Sequence, residues 1–125
     1  MSRCVLVVDD EDDIRTVVTV ALRAVAKWEV LTASSGSEAI EIAARERPDA
    51  ILLDVMMPSM DGPATVARLR ENDATKQTPV ILLTAKQQAG DRERFERYDV
   101  AGIIAKPFDP MTLASEVSRI LGWER

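Results

Sequence analysis

Two residue types that carry much of enzyme chemistry are scarce in this sequence. None of the 125 residues is a histidine, and Cys4 is the only cysteine. The absence of histidine excludes imidazole as a general acid or base and as a metal ligand. A single cysteine cannot form a disulfide within the chain, and because Cys4 lies in an apolar run we expect a reduced core residue. Any chemistry must therefore use carboxylates, hydroxyls, amines, the thiol or the backbone.

Long apolar runs and a basic N-terminal leader are also missing. We therefore expect a cytoplasmic protein with neither a membrane span nor an export signal. The net charge of −5 would repel nucleic-acid phosphates, so we expect no nucleic-acid partner. With 46% hydrophobic residues, residues 1–125 fit one compact domain. The initial methionine and the short ending after Leu121 favour a complete chain without an output domain.

Five short apolar runs predict buried β-strands. The third, residues 50–53, is the clearest, because four apolar residues stand between Pro48-Asp49 and the carboxylate of Asp54. The other four runs cover residues 4–8, 29–33, 79–83 and 102–105.

Between these runs, apolar residues recur at the three- and four-residue spacing of amphipathic helices. We predict five helices: residues 12–26, a helix capped by Ser35-Gly36-Ser37-Glu38 and ending before Pro48, one opened by Asp61-Gly62-Pro63, a polar one over 86–98, and one from Asp109-Pro110 to Gly122. Strict alternation of strands and helices predicts an α/β fold. It is a doubly wound five-stranded parallel sheet in the flavodoxin-like order 2-1-3-4-5, with five flanking helices.

Polar residues follow four of the predicted strands, where ligands bind in such sheets. They are Asp9, Asp10, Asp54, Thr84 and Lys106. Each alone has an ordinary explanation: a solvated acidic helix start, a turn aspartate, a β-branched strand residue or a surface lysine. Together at one edge, three carboxylates would repel one another unless a cation intervened, and Mg²⁺ prefers such oxygen ligands with phosphate. Lysine and threonine could bind phosphoryl oxygens, so the pattern indicates a magnesium and phosphoryl site.

Four segments carry a resemblance to a known family: VLVVDDEDD, ILLDVMMPSMDG, PVILLTA and IIAKPFDP. Together they resemble the receiver domain of two-component response regulators, of the stand-alone type, over the whole chain. The resemblance implies that Asp54 accepts a phosphoryl group from a sensor histidine kinase or a histidine phosphotransfer protein. It implies a phosphoacceptor with intrinsic autodephosphorylation and not a turnover enzyme.

The resemblance also implies the roles of the other site residues. Mg²⁺ would be held by Asp9, Asp10, Asp54 and the backbone carbonyl of Met56, directly or through water. Thr84 would bond one phosphoryl oxygen and Lys106 would pair with another, next to a cis Lys106-Pro107 peptide bond. A downstream protein target would bind the predicted fourth helix, fifth strand and fifth helix.

Two positions depart from common patterns in this family. Ile103 stands three residues before the lysine, where many receivers carry the tyrosine or phenylalanine whose ring turns inward on activation. We expect the signal to pass by backbone shifts around Thr84 and Ala85 instead. Met56, two residues after Asp54, offers no polar side-chain atom to orient an attacking water, so we expect the aspartyl phosphate to decay more slowly than in a Met56→Asn variant.

Three other functions compete with this interpretation. A magnesium-dependent phosphohydrolase similar to the haloacid dehalogenases needs a second aspartate two residues after the nucleophile, where this chain has Met56. A Rossmann nucleotide-binding module needs a glycine-rich turn after strand one, where this chain has five acids at residues 9–13. A receiver-like interaction module that works without phosphorylation remains the main alternative, and failure to bind Mg²⁺ would favour it.

Overall fold

Five parallel strands form the centre of the molecule in a computed structural model that describes residues 3–57, 60–85 and 99–123. The strand order is β2-β1-β3-β4-β5, which confirms the predicted doubly wound α/β sheet. The strands are β1 (Cys4–Val8), β2 (Glu29–Ala33), β3 (Ala50–Asp54), β4 (Val80–Ala85) and β5 (Gly102–Lys106). Three of them extend further than predicted, so Asp54, Thr84 and Lys106 lie within the last two residues of their strands.

Four helices flank the sheet in the described part of the chain. They are α1 (Asp12–Ala21), α2 (Gly36–Glu46), α3 (Gly62–Glu71) and α4 (Leu113–Leu121). A π-helical turn (Leu22–Ala26) continues α1, and together they cover the helix predicted over residues 12–26. The helix predicted over residues 86–98 lies outside the described residues. No helix in the described ranges combines the length and the apolar character that a bilayer crossing requires.

Side-chain caps fix where α2 and α3 begin. The Ser35 hydroxyl accepts from the Glu38 amide at 3.2 Å, while the Glu38 carboxylate accepts from the Ser34 amide at 2.6 Å. The predicted capping box is therefore present, with its return bond shifted back by one residue. The Asp61 carboxylate accepts from the Ala64 amide at 2.9 Å, and α3 starts where predicted.

The predicted cap at Asp109 is wrong. The Asp109 carboxylate accepts from the Met111 amide at 2.9 Å, and its carbonyl accepts from the Thr112 amide at 3.1 Å. These bonds close a tight turn. A short aspartate side chain can bond the amide two residues later in a turn as readily as it can bond an amide in the first turn of a helix. The helix α4 therefore begins three residues later than predicted, at Leu113, and ends as predicted at Gly122, whose φ is 72°.

The sheet separates two apolar layers. On one face, strand residues such as Leu53 and Leu82 pack with Ala39 and Ala43 of α2 and with Leu69 of α3. On the other face, a second set packs against α1 and α4: Val5, Leu52, Ile81, Val18, Leu22, Leu113 and Val117. Both faces of the central strands are covered, which explains why residues 50–53 are apolar without interruption.

Cys4 was expected in this core and is only half-buried. It is the first residue of β1, at the amino end of the sheet, where the covering helices end. The thiol is reduced in the structure, and burial and neighbouring acids, Glu29 first among them, raise its pKa.

Candidate functional site

The backbone after β1 holds one buried carboxylate and one exposed carboxylate. Asp9 is fully buried and Asp10 is exposed. The Asp9 carboxylate accepts from the Glu11 amide at 2.9 Å, and the Asp9 amide donates to the Ala33 carbonyl at 3.1 Å. Arg15 donates to the Asp9 carbonyl at 2.6 Å. These bonds fix the direction of the Asp9 side chain while leaving its second oxygen for other partners.

Asp54 is the last residue of β3 and is 5% exposed. The Met56 amide faces its Oδ1 atom at 3.4 Å. The next turn is drawn close by a hydrogen bond from the Gly62 amide to the Val55 carbonyl at 3.0 Å. A Cβ atom at Gly62 would lie 2.9 Å from the Val55 Cα, so only glycine allows α3 to start this close to Asp54.

Lys106 joins the two buried carboxylates. Its Nζ atom lies 3.1 Å from Asp9 Oδ2 and 3.2 Å from Asp54 Oδ1, although Asp9 follows β1 and Asp54 ends β3. The following Lys106-Pro107 peptide bond is cis, as the family resemblance implied. The ammonium group therefore sits between the acids of β1 and β3, at the carboxyl edge of the sheet.

Burial and the lysine oppose each other in setting the ionisation of this site. Burial raises the pKa of Asp54 from its ordinary value of 3.8 to about 6, and Asp9 adds to this, while Lys106 partly offsets it. Burial alone would lower the pKa of Lys106, but the carboxylates of Asp54 and Asp9 outweigh it and raise that pKa. At neutral pH the site holds an ionised carboxylate that is costly to keep ionised.

Thr84 reaches the same edge through strand register. It pairs with Ala105 in β5, next to Lys106, and its neighbour Leu83 pairs with Asp54 in β3. Thr84 is fully buried. All five residues predicted from strand ends are thus at one edge of the sheet, and the structure joins three of them by direct contacts: Asp9, Asp54 and Lys106.

The donor set fits a hard divalent cation. One oxygen from each of Asp9, Asp10 and Asp54 lies within 4.8 Å of the other two. Carboxylate oxygens from adjacent strand ends, one of them exposed, leave room for water and phosphate oxygens, which Mg²⁺ retains in proteins. The side chain of Met56 is 61% exposed and brings no ligand atom of its own that suits such an ion.

The sequence reasoning missed Arg15. Its guanidinium fixes the Asp9 carbonyl and also bonds the Asp12 carboxylate. Asp12 and Arg15 are three residues apart, so their ion pair could have been predicted from the sequence of the helix. The bond to Asp9 has no such signal, because it depends on how α1 leaves β1.

Comparison with known proteins points in one direction. A family model described as the response regulator receiver domain matches residues 5–118. The transcriptional regulatory protein SrrA of Staphylococcus aureus is 40% identical over 121 residues, which are 97% of this chain and 48% of that protein. The chain thus spans about half the length of the curated relatives it matches.

Two solved structures share the whole fold. The chemotaxis response regulator CheY4 of Vibrio cholerae is 35% identical with a TM-score of 0.87, over 96% of this chain and 99% of that one. The receiver domain of the sensor histidine kinase PA1611 of Pseudomonas aeruginosa PAO1 is 31% identical with a TM-score of 0.84, over 98% of this chain and 99% of that one. The latter has a magnesium ion coordinated in its active-site cleft. The chain therefore belongs to the response regulator receiver domain family of two-component systems, in which phosphorylation of an aspartate is typical.

Proposed function

We propose that this chain accepts a phosphoryl group on Asp54 from a phosphohistidine of a sensor kinase or phosphotransfer protein. The observation that carries the proposal is the contact of one ammonium, Lys106, with two buried carboxylates, Asp9 and Asp54, beside the exposed Asp10. A purely structural ion pair needs one carboxylate per lysine. The surplus of negative charge at this edge suits a site that also takes a cation and a phosphoryl group.

Transfer needs an ionised nucleophile in line with the donor's phosphorus atom. An Asp54 carboxylate oxygen forms the new O–P bond as the P–N bond of the phosphohistidine breaks, and the electron pair of that bond stays on the imidazole nitrogen. With a pKa of about 6, Asp54 is ionised at neutral pH. Its burial weakens its hydration and so strengthens its attraction to the donor's phosphorus atom.

Lys106 and Thr84 would then hold the transferred group. The ammonium of Lys106 already contacts Asp54 Oδ1 at 3.2 Å, so a phosphoryl oxygen attached to Asp54 falls within its reach. Register puts Thr84 beside this lysine, which supports a role for its hydroxyl as donor to another phosphoryl oxygen.

Mg²⁺ would be held by the carboxylates of Asp9, Asp10 and Asp54 and by the backbone carbonyl of Met56. When bound, it supplies positive charge that offsets the carboxylates and the phosphoryl oxygens. The magnesium ion in the PA1611 receiver domain and the three clustered carboxylates support this assignment.

A phosphoacceptor that does not turn over substrate must pass its signal to another protein. We propose output through protein contacts made by β5 and α4 together with residues 86–98, or through onward phosphate transfer. Ile103 is half-buried against the core layer of α2 and α3. This packing supports a switch that relies on backbone shifts near Thr84 and Ala85, to be followed by amide chemical shifts with and without a phosphate analogue. Action in the cytoplasm stays a prediction.

The decisive experiment is labelling with acetyl phosphate in the presence and absence of Mg²⁺. The wild type should acquire one phosphate that requires Mg²⁺ and is released by hydroxylamine, as an acyl phosphate is. The Asp54→Asn variant should acquire none, because an amide is not a nucleophile at neutral pH. The matched control is Asp73→Asn, which makes the same change at a carboxylate whose side chain is 95% exposed.

Two outcomes would contradict the proposal. Equal labelling of wild type and Asp54→Asn would move the phosphate to another residue. No labelling of the wild type, despite Mg²⁺ binding, would support an interaction module that works without phosphorylation.

A further inference from the structure

A second polar feature lies outside the phosphoryl site, in a groove of about 580 Å³ between α1 and β2. The helical wall includes Arg15, Thr19 and Val20, the π-helical turn contributes Arg23, and the strand wall consists of Val30 and Thr32. A groove of this volume lies in the range of ligand sites. Nothing in the proposed phosphoryl transfer uses Thr19, Arg23 or Thr32.

The first sign of a ligand is Thr19. Its Oγ1 atom is buried and has no hydrogen-bond partner. A threonine inside a helix usually bonds a carbonyl one turn back or faces water. An orphaned buried hydroxyl beside a groove is costly, and rotation of the Thr19 side chain toward a ligand atom in the groove would satisfy it.

The second sign is the π-helical turn, a rare conformation that often marks functional sites. It carries Arg23 to the edge of the sheet, where Nη2 donates to the Val30 carbonyl at 3.2 Å. That single bond uses one of the five N–H donors of the guanidinium. The turn therefore places a cation at the mouth of the groove.

The free edge of β2 forms the floor. Glu29 and Ala33 direct their backbone groups to the β1 side, through bonds of 2.8 Å to Arg3 and 3.1 Å from Asp9. Backbone direction alternates along a strand, so Val30 and Thr32 direct their N–H and C=O groups to the outer edge. In the described sheet β2 has no other neighbouring strand. The Val30 carbonyl accepts from Arg23, and the Val30 amide and both backbone groups of Thr32 can pair with an added strand.

Charge and length identify the occupant. Two guanidinium groups face one carboxylate in the lining, Asp12, which is already paired with Arg15. This positive balance contrasts with the net charge of −5 for the chain and favours an anionic ligand. The lining from Asp12 to Arg23 spans about three helical turns, roughly 16 Å, which matches about five extended residues.

We propose that this groove binds an extended acidic peptide segment of a partner protein, which adds a strand to the edge of β2. The backbone of the segment pairs with Thr32, one carboxylate meets Arg23, and a polar group satisfies Thr19. Since Arg15 also bonds the Asp9 carbonyl, the groove touches the loop that follows β1. The proposal stands on the groove alone and does not depend on phosphorylation of Asp54.

The test is a titration of the whole ¹⁵N-labelled chain with the capped peptide Glu-Val-Glu-Val-Glu, followed by amide chemical shifts. The largest shifts are expected at Val30 and Thr32. Arg23→Gln should weaken binding about tenfold, and the isosteric Thr19→Val severalfold, with unchanged far-UV circular dichroism. Arg68→Gln, which removes an exposed arginine from α3, is the matched control and should bind as the wild type does.

Three results would overturn the proposal. The first is an absence of shifts at Val30 and Thr32 at millimolar peptide. The second is equal binding of the glutamine analogue of the peptide or equal shifts with inorganic phosphate, since either would remove the acidic strand as the ligand. The third is unchanged affinity in Arg23→Gln. Acetyl phosphate labelling of Arg23→Gln should match the wild type, which keeps this test separate from that of the phosphoryl site.

Discussion

The two ends of the parallel sheet are built from opposite kinds of contact. At the carboxyl end, the half-buried ammonium of Lys106 contacts the two buried carboxylates of Asp9 and Asp54. At the amino end, Trp28 and Trp123 pack edge to face with their ring centroids 5.3 Å apart. One end of the sheet therefore carries a cluster of charges and the other end carries aromatic packing.

Hydrogen bonds reinforce the amino end. Asp49 holds the start of β1, accepting from the Cys4 amide at 2.8 Å and donating to the Cys4 carbonyl at 2.7 Å. Arg70, at the end of α3, donates to four carbonyl groups that precede β4 and β5, those of Thr75, Lys76, Thr78 and Asp99. The difference teaches that stability is concentrated at the amino end, while the carboxyl end keeps a costly charge arrangement that a ligand can relieve.

The largest expected effect is at the amino end. Trp28→Ala should lower the free energy of unfolding by about 3–5 kcal/mol, because it leaves a cavity in the core layer of α1 and α4. Urea unfolding followed by far-UV circular dichroism measures this loss. Trp28→Phe, which keeps most of the volume, should lose only about 1 kcal/mol. A loss below this smaller value in the alanine variant would refute the role assigned to the aromatic pair.

The carboxyl end should respond in the opposite direction. Asp54→Asn should raise the free energy of unfolding at neutral pH, in EDTA, by about 2 kcal/mol. The folded protein binds a proton at Asp54 between pH 3.8 and about 6, where the unfolded chain has already released it. Wild-type stability therefore falls as the pH rises through this window, and the variant lacks this loss.

Urea unfolding of both proteins at several pH values checks the sign. The advantage of Asp54→Asn should shrink as the pH falls from about 6 and vanish below 3.8. The exposed control Asp73→Asn should differ little from wild type throughout. An advantage that does not change with pH would show that ionisation of Asp54 is not its cause.

A smaller effect is expected at Arg70, whose hydrogen bonds join the segments that precede β4 and β5. Arg70→Lys should lower the free energy of unfolding by about 1–2 kcal/mol, because a point charge cannot reproduce a planar fork that meets several carbonyls. Thermal or urea unfolding measures the loss. Arg68→Lys, an exposed position on the same helix, should stay close to wild type, and an equal loss in the two variants would rule out the proposed geometry.

The contrast between the ends also explains what the sequence predicts well. Apolar runs that stop at a polar residue locate both the strands and their carboxyl ends, so Asp9, Asp54, Thr84 and Lys106 could be assigned to one edge before any coordinates. In a parallel sheet the carboxyl ends of all strands lie at the same edge, wherever the helices begin and end. The candidate site follows from this pattern, whereas the strand order comes from the flavodoxin-like fold class.

Other features escaped prediction because they depend on alternatives with similar local energy. Asp109 could cap a helix or close a turn, and only the packing of α4 decides between them. The contact of Lys106 with Asp9 and Asp54 depends on the side-chain conformations of residues at the ends of three different strands. The π-helical turn that aims Arg23 has no distinctive residue pattern, because it satisfies the same apolar spacing as an α-helical turn.

The lifetime of the aspartyl phosphate tests the carboxyl end kinetically. Met56→Asn should speed loss of phosphate from Asp54 about fivefold, on the order of 1 kcal/mol of barrier, because an amide can orient the attacking water. Met56 is exposed beside the site, so the substitution should not disturb the core. Release of phosphate after labelling with acetyl phosphate measures the rate. Met56→Leu is the control, and equal rates in all three proteins would remove the argument.

The smallest expected effect is the cation–π contact at the amino end. The Arg3 guanidinium lies 4.4 Å from the centroid of the Trp123 ring, at an exposed position. Arg3→Gln should lower the free energy of unfolding by about 0.5–1 kcal/mol. A double-mutant cycle with Trp123→Leu isolates the contact, because the Arg3 carbonyl that accepts from Glu29 remains in every variant. A coupling energy of zero would mean that Arg3 stabilises this end only through its backbone.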